Sequence, residues 1–287
     1  MKTSSRTAAF AAIAGALLTA SSASAQTTSI NSGSLGAAGN GLNTAGVVLG
    51  LPGAVTAGGD TAAGYSGGAH TTVAYNAALN PASASPFTIE FWAKPAAITD
   101  NATGPCPLFN RVTAGNRSGW VFFQRDPSTG WDFRMYNGSG STVGLELTGG
   151  VNAQDAWSHV VAVWNGTSPT LFVNGVLADD TVTGAGGYNA STSATFTIGS
   201  YDDGANAFNG AMDEVAFYNA ALSPAQILSH FNTASSSTPG AYSSLVLADG
   251  AVEYLQNTTV PEPTTVSLLA LGLVGFAAFK LRSRQRQ

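Results

Sequence analysis

Carboxylates are the side chains in this sequence that are best suited to chemistry, but their spacing does not suit catalysis. A retaining glycosidase uses two carboxyl groups about 5 Å apart, one as acid and one as nucleophile. On a strand, two such groups must stand two residues apart to share a face. No glutamate has a partner at that spacing, and adjacent Asp213 and Glu214 are expected on opposite faces. The five glutamates are Glu90, Glu146, Glu214, Glu253 and Glu262.

Histidine does not change this conclusion. His70, His159 and His230 are scattered along the chain and show neither metal-ligand nor triad spacing. We therefore predict that the protein is not an enzyme.

Calcium binding is the metal chemistry that the sequence favours. Calcium takes six to eight oxygen ligands from carboxylates, backbone carbonyls and water. Asp213 follows a glycine-containing turn, and Asp60 is expected to contribute from a neighbouring strand. Asp213 could instead cap backbone N–H groups at a bulge, and both interpretations stay open. The pair Asp202-Asp203 is a second candidate, although a turn is favoured there.

Three residues are predicted to contact a ligand. Trp92 should share a strand face with Glu90, and Arg134 should share one with Tyr136. An aromatic ring beside polar neighbours can stack on a sugar while those neighbours bind its hydroxyl groups. The predicted ligand-binding residues are Trp92, Arg134 and Tyr136. The alternative is that the tryptophans Trp92 and Trp131 fill space between sheets.

Composition narrows the class of protein. Charged residues make up 9% of the 287 residues and apolar residues 44%, which suits an extracellular β-protein rather than a solvated disordered chain. The central part of the chain is acidic and has no basic stripe, so nucleic acid is excluded as a partner. Cys106 is the single cysteine, so no intrachain disulfide can form.

Short alternating runs predict strands from about residue 65 onward. Two are joined by Pro127-Ser128-Thr129-Gly130, and two others flank Asn174-Gly175, which favours a type I′ turn. One helix is expected at 222–231, with Ser223 and Gln226 forming a capping box. Strands at this spacing predict an all-β sandwich or barrel.

The two ends of the chain read as targeting segments. Residues 1–25 have the charge, the apolar run and the small-residue end of a signal peptide, with cleavage expected after Ala25. At the other end, Pro261-Glu262-Pro263 precedes an apolar helix predicted at 264–279 and an arginine-rich tail. A membrane-inserted helix is favoured there over a soluble core helix.

This C-terminal arrangement, at 260–287, resembles the PEP-CTERM sorting signal of bacteria. The resemblance implies an exosortase-type processing protease as a partner, and a membrane anchor that is held only until processing.

The middle of the chain resembles the LamG-like jelly roll of the concanavalin A-like lectin/glucanase superfamily. The likeness rests on the stretches "PFTIEFWAKP", "AWSHVVAVWNGTSPTLFVNGVLADD" and "FNGAMDEVAFYNAALSPAQI", which come in the family's order. It implies two packed antiparallel sheets with one short C-terminal helix, and calcium bound near the strand that carries Asp213. The predicted organisation is a loosely structured lead-in at 26–59 with one short strand around Val47–Leu51, the jelly roll at 60–232, and a linker with a small hairpin at 233–259.

The sequence therefore predicts an exported, non-catalytic module at the cell surface or in the extracellular matrix. It is held at the membrane by its C-terminal helix and binds glycan or another matrix polymer. The alternative is a structural or protein-adhesion component that has no small ligand and contacts a surface protein. A degenerate glycoside hydrolase is a minor third hypothesis.

Overall fold

Alternation of apolar and polar residues makes strands of most of the chain, because alternate side chains point to opposite faces of a sheet. The computed structural model describes residues 27–98, 104–112 and 114–256. Its strands are β1 (Thr28–Ser29), β2 (Gly41–Asn43), β3 (Val48–Pro52), β4 (Thr61–Tyr65), β5 (Thr71–Val73), β6 (Phe87–Pro95), β7 (Leu108–Arg111), β8 (Ser118–Gln124), β9 (Trp131–Asn137), β10 (Val143–Gly149), β11 (Ser158–Trp164), β12 (Pro169–Val173), β13 (Val176–Asp179), β14 (Phe196–Ile198), β15 (Gly210–Tyr218) and β16 (Ala251–Leu255). Its helices are α1 (Pro224–Thr233) and α2 (Ala241–Ala248).

The strands form two antiparallel sheets. The first sheet has the order β1-β2-β5-β14-β7-β8-β9-β10, and the second has the order β13-β12-β11-β6-β15-β4-β3. β16 joins the second sheet by pairing with the C-terminal half of β15. The prediction of an all-β, two-sheet antiparallel sandwich is confirmed.

Aromatic side chains fill the space between the sheets. Phe91 of the second sheet meets Phe122 and Trp131 of the first edge to face, with ring centroids 5.0 and 6.0 Å apart. These residues are fully buried and hold the two layers together. A third layer lies outside the second sheet, where α1 and α2 pack on an apolar cluster that includes Val161, Ala216 and Ile227.

The capping box and the type I′ turn are both present as predicted. The Ser223 side chain accepts the Gln226 N–H at the start of α1, and the Gln226 side chain returns to the Ser223 N–H. Asn174 and Gly175 have φ values of 54° and 77° between β12 and β13. Both accept positive φ at low cost, which is why this dipeptide closes a tight hairpin.

The predicted hairpin in 233–259 is wrong. Residues 241–248 form α2, and Asp249-Gly250 connects this second helix to β16. Two short apolar runs around a turn fit a hairpin, but they fit a short buried helix followed by a strand equally well. Packing decides between them, because Tyr242 and Val246 of α2 are buried on the outer layer of the second sheet.

The loosely structured lead-in at 26–59 is also corrected, since this segment contributes β1 and β2 in addition to β3, which lies where the one short strand was expected. Its backbone forms a seam with β16 through hydrogen bonds from Ser32 to Tyr254, from Ser34 to Ala251 and from Leu35 to Val252. Glycine makes the close approach possible, because a Cβ on Gly33 would lie 2.5 Å from the Val252 carbonyl oxygen. Backbone pairing therefore helps to order the segment, together with Leu35, Val47 and Leu49, which pack partly buried against the core.

The predicted signal peptide at 1–25 and the predicted apolar helix at 264–279 lie outside the described residues. Within residues 27–98, 104–112 and 114–256, neither helix is long and apolar enough to cross a membrane.

Candidate functional site

Three carboxylates meet at the point where β15 exchanges its neighbour β4 for β16. One oxygen from each of Asp60, Asp213 and Glu214 lies within 4.8 Å of the others, and we call this group the acidic centre. Asp213 Oδ2 accepts the Ala54 N–H at 2.8 Å, and Asp60 Oδ2 accepts the Val55 N–H at 3.0 Å. The structure therefore brings together the two predicted metal ligands and adds Glu214.

A β-bulge explains how Glu214 reaches this centre. The expectation that Asp213 and Glu214 face opposite ways assumed regular alternation along β15. Glu214 instead has a φ of 51°, and the register of β15 against β6 shifts between Asp213 and Ala216. Bulges re-aim side chains in this way. The Glu214 carboxylate then accepts a hydrogen bond from the Tyr254 hydroxyl on β16.

The acidic centre has no cationic side chain in contact among the described residues. Burial raises the pKa of Asp213 well above its usual range, and the charges of Glu214 and Asp60 raise it further. Burial also raises the pKa of Glu214, although the Tyr254 hydrogen bond opposes the shift. The centre must therefore hold protons or accept a cation. Its carboxylate oxygens are the ligands that calcium prefers.

A second cluster, the Glu90 centre, lies on the same outer side of the second sheet, beneath α1 and α2. Glu90 is fully buried and accepts hydrogen bonds from four side chains, each at 2.7–3.1 Å. The donors are His159 of β11, Tyr218 of β15, His230 of α1 and Tyr242 of α2. Burial alone would raise the pKa of Glu90, but the hydrogen bonds from the two histidines hold it well below its usual range.

The two histidines of the Glu90 centre, His230 and His159, differ in the partners of their ring nitrogens. Both His230 nitrogens meet carboxylates, with Nδ1 at 2.9 Å from Glu90 and Nε2 at 2.9 Å from Asp249. Both must donate, so His230 is an imidazolium, and these contacts raise its pKa although burial opposes the shift. His159 Nε2 bonds to Glu90, whereas its Nδ1 has no partner among the described residues.

An open groove of about 430 Å³ crosses the part of the second sheet that the helices leave uncovered. It runs over β3, β4, β15 and the end of β6, with Gly64 and Ala211 in its floor and Lys94 at its side. A second groove of about 680 Å³ lies between β11, β12, β13 and the start of α1.

Comparison with known proteins places this architecture in a family. Residues 66–228, more than half of the chain, match a family model described as Concanavalin A-like lectin/glucanases superfamily. The chain belongs to that superfamily. No curated protein matches the sequence significantly.

One solved structure supports this fold for the superfamily member. The binding domain of Paraclostridial Mosquitocidal Protein 1 matches with a TM-score of 0.52 at 16% identity, over 72% of this chain and 52% of that one. The chain thus spans about half the length of that structure. The binding domain of Botulinum neurotoxin DC in complex with SialylT gives 0.47 at 17% identity, covering 72% and 51%. Domain 4 of AbnA, an arabinanase from Geobacillus stearothermophilus, gives 0.41 at 16% identity, covering 71% and 98%, in complex with arabinotriose.

A second family model matches the end of the chain. Residues 259–285 correspond to the PEP-CTERM protein-sorting motif, which confirms the predicted resemblance of the tail. The motif starts four residues after β16 of the lectin-like sandwich ends.

Trp92, a predicted ligand residue, lies in this lectin-like sandwich where it cannot stack on a sugar. Its ring is 5% exposed, stacks against Phe231 of α1 at 5.8 Å, and donates from Nε1 to the Tyr242 hydroxyl. The prediction that it shares a face with Glu90 holds, but two helices cover that face. The alternative that Trp92 fills space between layers is the one that agrees with these contacts.

Arg134 and Tyr136 lie on the outer face of the first sheet, as their alternation predicts. Arg134 binds Asp132 at 2.7 Å and Glu146 at 3.0 Å, and its guanidinium lies over the Phe123 ring. Tyr136 is 2% exposed and has the buried Arg111 guanidinium 4.8 Å from its ring centroid. Asp132 also pairs with Arg125 at 2.7 Å, and burial raises its pKa to about 6. These side chains stabilise one another and leave little surface for a ligand.

Other candidate residues take structural roles. Asp203 accepts the Ala205 N–H in a turn, which agrees with the turn interpretation of Asp202-Asp203. Cys106 is fully buried, and burial raises the pKa of its thiol well above the usual range, so it is not a reactive thiolate.

Sequence reasoning missed the Glu90 centre. His159 and His230 stand 71 positions apart, and only the antiparallel pairing of β6 with β11 and the docking of α1 bring them to one carboxylate. The available signal was a glutamate in the middle of an otherwise buried strand, because a buried carboxylate must find partners.

Proposed function

We propose that this chain is an exported, non-catalytic module that binds glycan or a matrix polymer at the cell surface. One observation supports its non-catalytic character above the others: three carboxylates of the two centres in this lectin-superfamily fold are buried and already accept hydrogen bonds. Glu90, Asp213 and Glu214 are at most 2% exposed, so a scissile glycosidic bond has no access to them. A degenerate glycoside hydrolase remains the minor hypothesis on this chain.

We further propose that calcium occupies the acidic centre. Asp60, Asp213 and Glu214 would hold the ion, which would supply the positive charge that these oxygens lack. Three carboxylates that contact no cationic side chain within the described part of the chain, and that are held in place by backbone N–H groups and a tyrosine, suit a hard cation. The ion's role would be structural, because Asp213 joins the β3–β4 loop to β15, and Glu214 joins β15 to β16.

A calcium titration of chelator-treated protein tests this part of the proposal. We expect heat of binding and a higher melting temperature in the wild-type chain and in Asp203→Asn, which alters only the exposed turn. Asp213→Asn should lose both responses. Absence of heat and of any melting shift in the wild type would refute the calcium site.

A glycan array tests the main proposal. The full chain, applied with calcium and again with chelator, should bind a defined class of glycans. If the chain binds no glycan on the array but still adheres to cell-surface protein, the glycan-binding proposal is refuted in favour of a protein-adhesion component.

That alternative, a structural or protein-adhesion component, has an observation of its own. Around the second groove the apolar residues Val176, Leu177 and Leu228 are 61%, 54% and 43% exposed, beside the edge strand β13. Exposed apolar surface next to a free strand edge suits a protein partner.

Location follows from the sorting motif. We propose that the chain crosses the inner membrane, is held there by its C-terminal segment, and is processed by an exosortase-type protease before it reaches the surface or matrix. Mass spectrometry of the surface-released protein should find a C-terminus upstream of the apolar run at 264–279. Recovery of the intact tail on released protein would contradict processing.

A further inference from the structure

The groove over β3, β4 and β15 owes its shape to small residues at one level of the second sheet. Strand pairing places Lys94, Ala211, Gly64 and Val48 in a single row across four neighbouring strands. Their neighbours in the chain, including Ala63 and Ala93, point into the core, so this row points outward. Ala211 and Gly64, in the middle of the row, have little or no side chain. Lys94 and Val48, at its two ends, form the walls of the groove.

The dimensions suit a chain-like ligand. Strands in a sheet lie about 4.8 Å apart, so the walls at Lys94 and Val48 stand roughly 14 Å from each other. Leu51 lies over the floor, since a Cβ on Gly64 would fall 2.7 Å from its Cδ1. The volume of about 430 Å³ is within the range of small-ligand pockets.

Polar side chains around the groove are free to bond. Within the described residues, the side chains of Lys94, Ser66 and Asn209 have no hydrogen-bond partner. The Asp155 carboxylate accepts one hydrogen bond there, from the Gln154 side chain at 3.3 Å. Lys94 is also the one lysine in the sequence between residues 27 and 256. In contrast, the polar groups of the Glu90 centre are bonded to one another.

We propose that this groove binds neutral sugar units of a polysaccharide, an inference that rests on the proposed glycan-binding function. The floor of Gly64, Ala211 and Leu51 receives the C–H face of a sugar ring. Lys94 and Asn209 donate to its hydroxyl oxygens, while Asp155 and Ser66 accept from its hydroxyl groups. The positive charge of Lys94 and the negative charge of Asp155 at the rim offset each other. The groove therefore suits hydroxyl-rich neutral sugars better than uronic acids or charged peptides.

Binding of a defined panel to the full chain tests the assignment. The probes are neutral tetrasaccharides of glucose, mannose, galactose or xylose, with uronic-acid tetrasaccharides as the contrasting set, followed by calorimetry. Ala211→Leu fills the floor and should weaken binding of the best neutral probe by about tenfold or more, and Lys94→Met by roughly threefold to tenfold. Ala225→Leu adds the same bulk to the second groove and should leave binding unchanged.

Circular dichroism and melting temperature show whether each variant is folded, and Lys94→Met keeps the test decisive if Ala211→Leu does not fold. Unchanged affinity in folded Ala211→Leu and Lys94→Met would overturn the groove while leaving glycan binding intact. Preference for the uronic-acid probes would overturn the ligand class. Failure of every glycan on the array would instead refute the proposed function itself.

Discussion

Two acid clusters lie on the same side of the second sheet, and they differ in how their charge is balanced. The Glu90 centre has one fully buried carboxylate and four side-chain donors, one of which is the His230 imidazolium. The acidic centre has three carboxylates, one tyrosine donor and no contacting cationic side chain among the described residues. The first is complete within the chain, whereas the second needs protons or a cation.

This difference separates two uses of buried acid. A carboxylate that is bonded on all sides fastens elements together, and the Glu90 centre joins β6, β11, β15, α1 and α2. A group of carboxylates without a counter-charge destabilises the fold until something binds it. The Glu90 centre is therefore stabilised by side chains of the fold itself, whereas the stability of the acidic centre depends on the pH and the cations of the solution.

The largest expected effect is at the Glu90 centre. Glu90→Ala leaves the imidazolium of His230 and two tyrosine hydroxyls buried without their acceptor, and should lower the free energy of unfolding by about 3–5 kcal/mol. Urea unfolding measures it. Glu90→Gln is the matched control and should cost less, because the amide oxygen still accepts. Equal losses in both variants would contradict the fastening role.

Calcium should have the next largest effect, at the acidic centre alone. At a calcium concentration 100 times the dissociation constant, the free energy of unfolding should rise by about 2.7 kcal/mol. Glu90→Gln should keep this response if it folds, and Glu214→Gln should lose most of it. A calcium response that survives Glu214→Gln would place the ion elsewhere.

The two centres should also respond to pH in distinguishable ways. The folded pKa values of Asp213 and Glu214 are raised, so protonation stabilises the fold at low pH. In chelator, this stability is lost as the pH rises from about 4 through the raised values, and calcium should abolish the loss. A melting temperature that falls equally with and without calcium would be inconsistent with this.

His230 gives the Glu90 centre a pH dependence of its own. Its folded pKa is raised above 6.5, so its contribution is complete below about pH 6.5 and is lost as the pH rises through the folded value. The titratable groups that face it are Glu90 of β6, Tyr218 of β15, Tyr242 of α2 and Asp249 after α2. His230→Gln should cost about 1.5–3 kcal/mol at pH 6 and remove this dependence. Melting curves from pH 6 to pH 9 measure it, and an unchanged slope in the variant would exclude His230 as the group.

The smallest effect separates the tyrosines of the two centres. Tyr218→Phe and Tyr254→Phe each remove one hydroxyl donor and should cost about 0.5–1.5 kcal/mol. Calcium should reduce only the loss in Tyr254→Phe, because only Glu214 would gain a new partner. Unfolding of the two variants with and without calcium measures this difference. An equal effect of calcium on both variants would contradict the assignment of the ion to the acidic centre.

Much of the sandwich was predictable because its signals are local. Alternation from Phe87 to Pro95 and the Asn174-Gly175 turn depend on neighbouring residues, and so does the capping box at Ser223. The approach of Asp60 to Asp213 was also predicted, since both residues were expected on adjacent strands.

The rest depends on contacts that no local pattern contains. The positive φ of Glu214 reverses the side of one carboxylate, and nothing in the sequence of β15 requires it. The face of Trp92 was predicted correctly, but whether helices or solvent would cover that face was not. α2 was missed because eight residues are too few for helical and strand periodicity to be told apart.

The seam between the N-terminal segment and β16 has a consequence for the order of folding. Asn31 bridges Leu255 across more than 220 positions, and its side chain accepts the Tyr254 N–H. A chain that emerges from an export channel with its N-terminus first cannot close this seam until its last strand has also emerged. Closure of such distant contacts is slow. Strands β1, β2 and β3 can pair with strands that emerge earlier, but residues 31–35 stay without their β16 partner until the segment that precedes the sorting motif arrives.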